Sequence, residues 1–201
     1  IAIGGSLGSS KEEMYRVVNF TAPKLGNKHP IHLLGIGDPR DIWSLVKSGV
    51  DTFDCVSPTR LARHGSALTK GKVGKINIKN KNYANQISPI DETCNCSTCS
   101  SYTLGYIHHL FKAGELLGLQ LVTAHNIFFM NKLMSDIRNA IVNDSLDDAE
   151  KEFIEKGLSK ADAKKQALDH VGRIWGRKTS AFKLDKSTVD LSATNVRKQL
   201  E

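Results

Sequence analysis

Between Asp54 and Asp91 the 201-residue chain has no acidic residue at all. Arg60, Arg63, Lys70, Lys72, Lys75, Lys79 and Lys81 lie inside that window, and these seven charges equal the whole net charge of +7. A one-signed block repels itself unless a polyanion neutralises it. Its length and local character favour contact with nucleic acid over a solvated lysine-rich hairpin kept for solubility. No apolar run approaches the roughly 20 residues of a bilayer-spanning helix, and the first residues do not resemble a signal peptide. No membrane partner is therefore expected. Repeats and low-complexity tracts are missing too. Cysteines number only four, too sparse for a secreted disulfide scaffold, so a reducing, cytoplasmic setting is expected. The chain also lacks an initial Met and starts Ile1-Ala2-Ile3-Gly4-Gly5, inside an expected strand, which reads as a piece of a longer protein.

Three of the four cysteines crowd into Cys94-Asn95-Cys96-Ser97-Thr98-Cys99, with a histidine at His125. Neighbours at this spacing rarely reach the geometry of a disulfide. Three thiolates and one imidazole are a complete tetrahedral set for Zn²⁺, so Cys94, Cys96, Cys99 and His125 read as a closed structural zinc site. Three free cytosolic thiols beside an unrelated histidine are the plain alternative. A site filled by four protein ligands leaves no place for a bound water, and such a metal folds the chain rather than doing chemistry.

Along the first half, strand and helix alternate. Ile1 to Ile3 is a short strand; Ser10 and Glu13 have capping-box spacing and open a helix with Met14, Val17 and Val18 inward. Ile31 to Ile36 is a continuous apolar run, read as a buried strand. Gly37-Asp38-Pro39 starts a second helix with Ile42, Leu45 and Val46 inward, ending at Gly49. Val50 to Val56 is a third strand. This order implies parallel strands joined by crossover helices, an α/β class. Residues 57 to 90 then read as a hairpin-bearing excursion. A helix is expected from about Ser101 to Leu117, with Tyr106, Leu110, Ala113 and Leu117 on one face and Gly118 as its stop. After Leu121 to His125 comes a periodic helix carrying Ile127, Met130, Met134, Ile137 and Ile141. Further helix is expected over 161–174.

Asp54 lies near the carboxyl end of the third strand, where α/β barrels place catalytic groups. Strand alternation puts it on the face of Thr52 and Val56, away from Phe53 and Cys55. A carboxylate that caps the next turn, or pairs with Arg60, is an equally good reading of position alone. Cys55 reads as a small buried apolar residue rather than a reactive thiol. Gly4 and Gly5 also end a strand; glycines let a flat ligand approach the backbone, though a plain tight turn needs them as often.

Ala2-Ile3-Gly4-Gly5, His32-Leu33-Leu34-Gly35-Ile36-Gly37, Phe53-Asp54-Cys55-Val56-Ser57-Pro58-Thr59-Arg60, the cysteine cluster, Tyr106-Ile107-His108-His109 and Thr123-Ala124-His125-Asn126 follow one another in the order and spacing of tRNA-guanine transglycosylases. The chain resembles that family over roughly residues 1 to 155. The resemblance implies the C-terminal part of a TIM (β/α)₈ barrel, strands six to eight, with a zinc-binding insertion subdomain. Its expected layout is barrel strands and helices over 1–60, basic hairpin and zinc insertion over 61–125, a barrel helix region over 126–157, and a lysine-rich tail of no assigned role over 158–201.

The implied activity is replacement of the wobble guanine in a tRNA anticodon loop by a free 7-deazaguanine base. Asp54 would be the nucleophile that holds the ribose covalently, as in a retaining glycosidase. Gly4, Gly5 and Leu34 would line the base pocket. Arg60 and Arg63 would grip the anticodon loop, with Lys70, Lys72 and Lys75 in the same role by charge. The base must leave its stack to be reached, which suits a basic surface nearby. Ser6-Leu7-Gly8-Ser9 departs from the usual bacterial Gly-Gly-Leu-Ser-Val-Gly-Glu loop, so a roomier pocket able to take queuine is expected.

Tyr102, Tyr106 and His109 match a face that forms a homodimer in the family, although ordinary core is the competing reading. An acid–base aspartate and other base-recognition groups are implied on strands earlier than those of this chain, which alone should bind zinc without exchanging bases. The runner-up is a non-catalytic, zinc-stabilised tRNA-binding subunit. An archaeal-type enzyme acting elsewhere on tRNA is disfavoured, because no extra RNA-binding domain is recognisable.

Overall fold

The computed structural model describes residues 1–5, 7–25, 29–71 and 74–155. Lys72, the helix expected over 161–174 and the tail from 158 lie outside them. Three two-residue strands, β1 (Ala2–Ile3), β2 (His32–Leu33) and β3 (Thr52–Phe53), form a parallel sheet in that order. Ala2, His32 and Thr52 stand in register, as do Ile3, Leu33 and Phe53. The crossovers are α1 (Lys11–Leu25) and α2 (Pro39–Lys47). The strands are shorter than the apolar runs suggested. After Leu33 the chain turns out of the sheet at Leu34 and at Gly35, whose φ of 77° suits glycine alone, and this turn shapes a loop rather than more sheet.

Half of the expected capping box forms. The Glu13 N–H donates to Ser10 Oγ at 3.2 Å, but the Glu13 carboxylate accepts from the N–H and hydroxyl of Ser9, at 2.7 and 3.0 Å. At the start of α2, Asp38 caps the helix by accepting the Arg40 N–H at 3.1 Å. Lys11 Nζ reaches Asp38 at 3.0 Å and the buried Asp41 at 2.8 Å, and Tyr15 donates to Asp41 at 2.7 Å. Burial alone would raise the Asp38 carboxyl, yet bonds from Arg40 and Lys11 hold it down at about 2. A folded-state value below the unfolded one stabilises above the unfolded pKa and is lost as pH falls through the folded one. Asp38→Asn keeps the cap but removes the charge. It is expected to lose about 1 kcal/mol near neutrality, after allowance for solvent screening, and to flatten the fall in stability between about pH 4 and 2. Urea unfolding across that range measures it.

The excursion after β3 is a helix plus hairpin: α3 (Ser57–Arg63), then antiparallel β4 (Ser66–Leu68) and β5 (Lys75–Asn77). The hairpin matches expectation; α3 does not, because seven residues are too few to show a helical period. Beyond the cysteine loop come α4 (Ser97–Ser101), α5 (Leu104–Ala113), α6 (Leu116–Val142) and α7 (Leu146–Glu155). The single helix expected over 101–117 is thus broken. Thr103 caps α5 by accepting the Tyr106 N–H, and Gly114, at φ 75°, ends it. Gly118 is no stop. It lies inside α6, where a Cβ would stand 3.1 Å from that of Leu110, so its smallness lets α5 and α6 approach.

The buried face of α6 is Val122, His125, Asn126, Phe129, Leu133, Ile137 and Ala140, whereas Ile127 and Ile141 are exposed. Hydrophobic period misplaced that face because two of its members are polar.

One apolar cluster (Ile3, Val18, Leu33, Leu45) lies against the sheet. A second (Trp43, Phe129, Phe153) joins α2, α6 and α7, and a third (Ala62, Ile78, Ile107, Val122) surrounds the cysteines. Lys47 of α2 also pairs with Asp147 and Glu150 of α7. No helix among the described residues is long and apolar enough to cross a membrane.

Candidate active site and candidate metal centre

Asp54 follows β3 directly, and its side chain is 59% exposed. Its Oδ1 accepts the Gly35 N–H at 3.1 Å and stands 3.1 Å from His32 Nε2, while His32 Nδ1 is 2.8 Å from Thr52 Oγ1. Thr52 and Asp54 therefore share a face, as strand alternation requires. Neither competing reading of Asp54 matches these partners. It is not Arg60 that bonds the carboxylate, and α3, with Val56 at its N-cap, has no side-chain cap, the Ser57 N–H donating to Cys55 Sγ at 3.2 Å. Cys55 is half-buried on the opposite side, packed on Gly37, where a Cβ would fall 2.4 Å from that of Cys55.

Gly4 is held equally close to Leu34: a Cβ there would lie 2.5 Å from Leu34 Cδ1. Leu34 is 46% exposed and Gly5, at φ 83°, faces open space. Gly4, Gly5, Leu34, Gly35 and Asp54 thus make a continuous open rim at the carboxyl ends of three parallel strands. Such a rim offers an apolar floor, bare backbone and one exposed carboxylate.

The second cluster is closed. Cys94, Cys96 and Cys99 place their Sγ atoms 3.7, 3.6 and 3.3 Å from His125 Nδ1, and all four donor atoms lie within 4.8 Å of one another. A tetrahedral Zn²⁺ with sulfur at about 2.3 Å and nitrogen at about 2.0 Å separates its ligands by roughly 3.5–3.8 Å, so the set fits. His125 Nε2 donates to the Leu68 carbonyl at 2.9 Å. That bond sets the ring so that Nδ1 faces the sulfurs. Bonds from the Cys94 and Cys99 thiols push Cys96 far below the ordinary thiol range, while bonds with Cys94 and Cys96 push Cys99 up. Burial opposes charge on His125, but Cys94 and Cys96 raise it to about 10. Crowded donors that compete for protons in this way suit a shared cation.

The family model described as queuine tRNA-ribosyltransferase matches residues 1–158. The chain belongs to this family. A queuine tRNA-ribosyltransferase of Clostridium acetobutylicum is 47% identical over 161 residues, 80% of this chain and 42% of the relative. That of a Roseiflexus species is 49% identical over 144 residues, 71% and 36% of the two chains. That of Clostridium perfringens is 50% identical over 141 residues, 70% and 37%. The chain spans about two-fifths of the length of the curated relatives it matches. The resemblance drawn from the motifs is borne out, and over nearly the same residues.

In this member of the queuine tRNA-ribosyltransferase family, Arg60 and Arg63 are exposed on α3, and Lys75, Lys79 and Lys81 are exposed along the hairpin and just beyond it. Lys70 is half-buried and lines a small cleft with Asp91, Phe129 and Lys132. The hairpin turn is tied to α7 by the Gly71 N–H, which donates to the Phe153 carbonyl at 3.0 Å. Tyr102 and Tyr106 stack at 5.7 Å between ring centroids; Tyr106 and His109 are exposed, while Tyr102 is half-buried against the cluster around the cysteines.

Sequence reasoning assigned no role to three residues that organise these sites: His32, His108 and Asn126. Buried His108 Nδ1 donates to the Ile78 carbonyl at 2.7 Å, joining α5 to the hairpin. Fully buried Asn126 accepts the Leu68 N–H at 2.9 Å and donates to the carbonyls of Pro58 and Ser66, at 2.9 and 3.1 Å. The only available signal was adjacency to His125. Asn126→Leu strands all three backbone groups in the interior and is expected to lower stability by about 3 kcal/mol, read as an earlier thermal unfolding transition.

Proposed function

We propose that the protein exchanges the wobble guanine of a tRNA anticodon loop for a free 7-deazaguanine base, with Asp54 as nucleophile. The observation that carries this is the Asp54 carboxylate, held by one oxygen and open at the other, at the rim of Gly4, Gly5 and Leu34. Oδ2, which takes no hydrogen bond among the described residues, attacks C1′ of the guanosine; the C1′–N9 bond breaks and its electron pair leaves with guanine. Guanine takes a proton from the acid–base aspartate that the resemblance places on an earlier strand. The incoming base returns that proton as its N9 attacks C1′ and expels Asp54. Two displacements at one carbon retain its configuration. Exposed Asp54 geometry supports this reading over a non-catalytic RNA-binding subunit.

The three parallel strands fit the sixth to eighth of a (β/α)₈ barrel, with the hairpin and cysteine loop as its insertion. Cys94, Cys96, Cys99 and His125 would hold Zn²⁺, which supplies folding energy and no catalytic water. Arg60, Arg63, Lys70, Lys72 and Lys75 form the tRNA grip. Exposed Tyr106 and His109, with Tyr102 stacked behind Tyr106, support a homodimer contact, and the substrate suits a cytoplasmic enzyme. Incorporation of labelled guanine into tRNA by the full-length protein tests the function; no incorporation with zinc bound and tRNA retained overturns it. In the same preparation, replacing Arg60 and Arg63 together by Ala is expected to weaken tRNA binding roughly 10- to 100-fold and to reduce the log–log salt slope by about 2.

A further inference from the structure

We propose that His32 is a positioning residue for the nucleophile, selecting which oxygen of Asp54 attacks and easing its later departure. This rests on the reading of Asp54 given above.

His32 and Thr52 are register partners on adjacent strands, and Asp54 lies two residues beyond Thr52 on the same face. The imidazole bridges the two: Nδ1 is 2.8 Å from Thr52 Oγ1 and Nε2 is 3.1 Å from Asp54 Oδ1. An ionised carboxylate only accepts, so the second contact requires a proton on Nε2. In a neutral ring Nδ1 must then accept, and the Thr52 hydroxyl is its donor. Donation runs in one direction, from Thr52 to His32 to Asp54.

A carboxylate turns freely about its last bond. Two donors on one oxygen, His32 Nε2–H and Gly35 N–H, choose a single rotation, occupy Oδ1 and aim Oδ2 outward. The same donors matter again when the incoming base displaces Asp54. As the C1′–Oδ2 bond breaks, its electron pair returns to the carboxylate, and the share on Oδ1 meets two waiting N–H groups. A hydrolase-type relay with Thr52 as nucleophile does not match, because the backbone N–H at this cluster points at Asp54 rather than beside Thr52.

The test is steady-state exchange and adduct kinetics on the full-length protein carrying His32→Phe, His32→Gln, Thr52→Val or both His32→Phe and Thr52→Val. His32→Phe should lower kcat roughly 10- to 100-fold with KM for tRNA within about twofold, and prolong the covalent adduct after free base is added. His32→Gln, whose amide N–H can reach the same oxygen, should recover most of the loss. Thr52→Val should lower kcat severalfold, and the double variant no further than His32→Phe alone. Unchanged kcat in His32→Phe, a loss carried by KM, or a Gln variant as slow as Phe overturns the proposal. Should His32→Phe not fold, judged by zinc content, Thr52→Val decides: an unchanged kcat there refutes the orienting chain. Asp54→Asn separates the two levels. If it still forms an adduct, the nucleophile reading falls; if it forms none while His32→Phe keeps full kcat, only the role of His32 falls.

Discussion

Asp54→Asn is expected to abolish exchange by roughly 10⁴-fold or more and to remove any covalent band between tRNA and protein on a denaturing gel. The expectation is sharp because the substitution is nearly invisible to the fold. The Asn amide oxygen can still accept from His32 Nε2 and the Gly35 N–H, so the loop after β2 keeps its anchor. The atom in the place of Oδ2 becomes an amide nitrogen without a usable lone pair. Zinc content and tRNA affinity should match the unaltered protein. A persisting adduct would place the nucleophile elsewhere and dissolve the enzymatic account.

Cys99→Ser should have the second large effect, on structure rather than chemistry. Cys99 is almost fully buried in α4, and its sulfur is the one that stands nearest to His125 Nδ1. Structural zinc sites of this type bind with an apparent free energy on the order of 10 kcal/mol, comparable to the whole stability of a domain. Loss of one thiolate is expected to drop metal content well below one ion per chain and to shift thermal unfolding by more than about 10 °C. Binding to tRNA should go with it, because a metal held by these four residues would link the cysteine loop to α6, which in turn holds α3 and the hairpin through Asn126. Full metal content and an unmoved transition in this variant would mean that the cluster is not the ligand set.

Those two expectations draw on features that were legible in different degrees. The cysteine spacing and the distant histidine could be joined from sequence, since the coordination chemistry of Zn²⁺ asks for that donor set whatever the path between. Asp54 was legible as a strand-end carboxylate, but its freedom from Arg60 was not, because a cap, an ion pair and a nucleophile share one local pattern. The helices fared worst where polar residues face inward. A hydrophobic period cannot see His125 and Asn126 as core, so the face of α6 was displaced and its start was set too late. Gly118 looked like punctuation and proved to be a contact between α5 and α6, a distinction that depends on a neighbour not adjacent in the chain.

By itself the sequence determined the parallel strand–helix order, the candidate metal ligands, the one-signed basic block and the family, because each is written in local spacing or residue type. Only the tertiary structure decided that His32 reaches across to Asp54, that Gly4 and Leu34 touch, and that Asn126 pins the hairpin. These are contacts between segments 20 to 70 residues apart, set by sheet register and helix packing, and no local pattern encodes them.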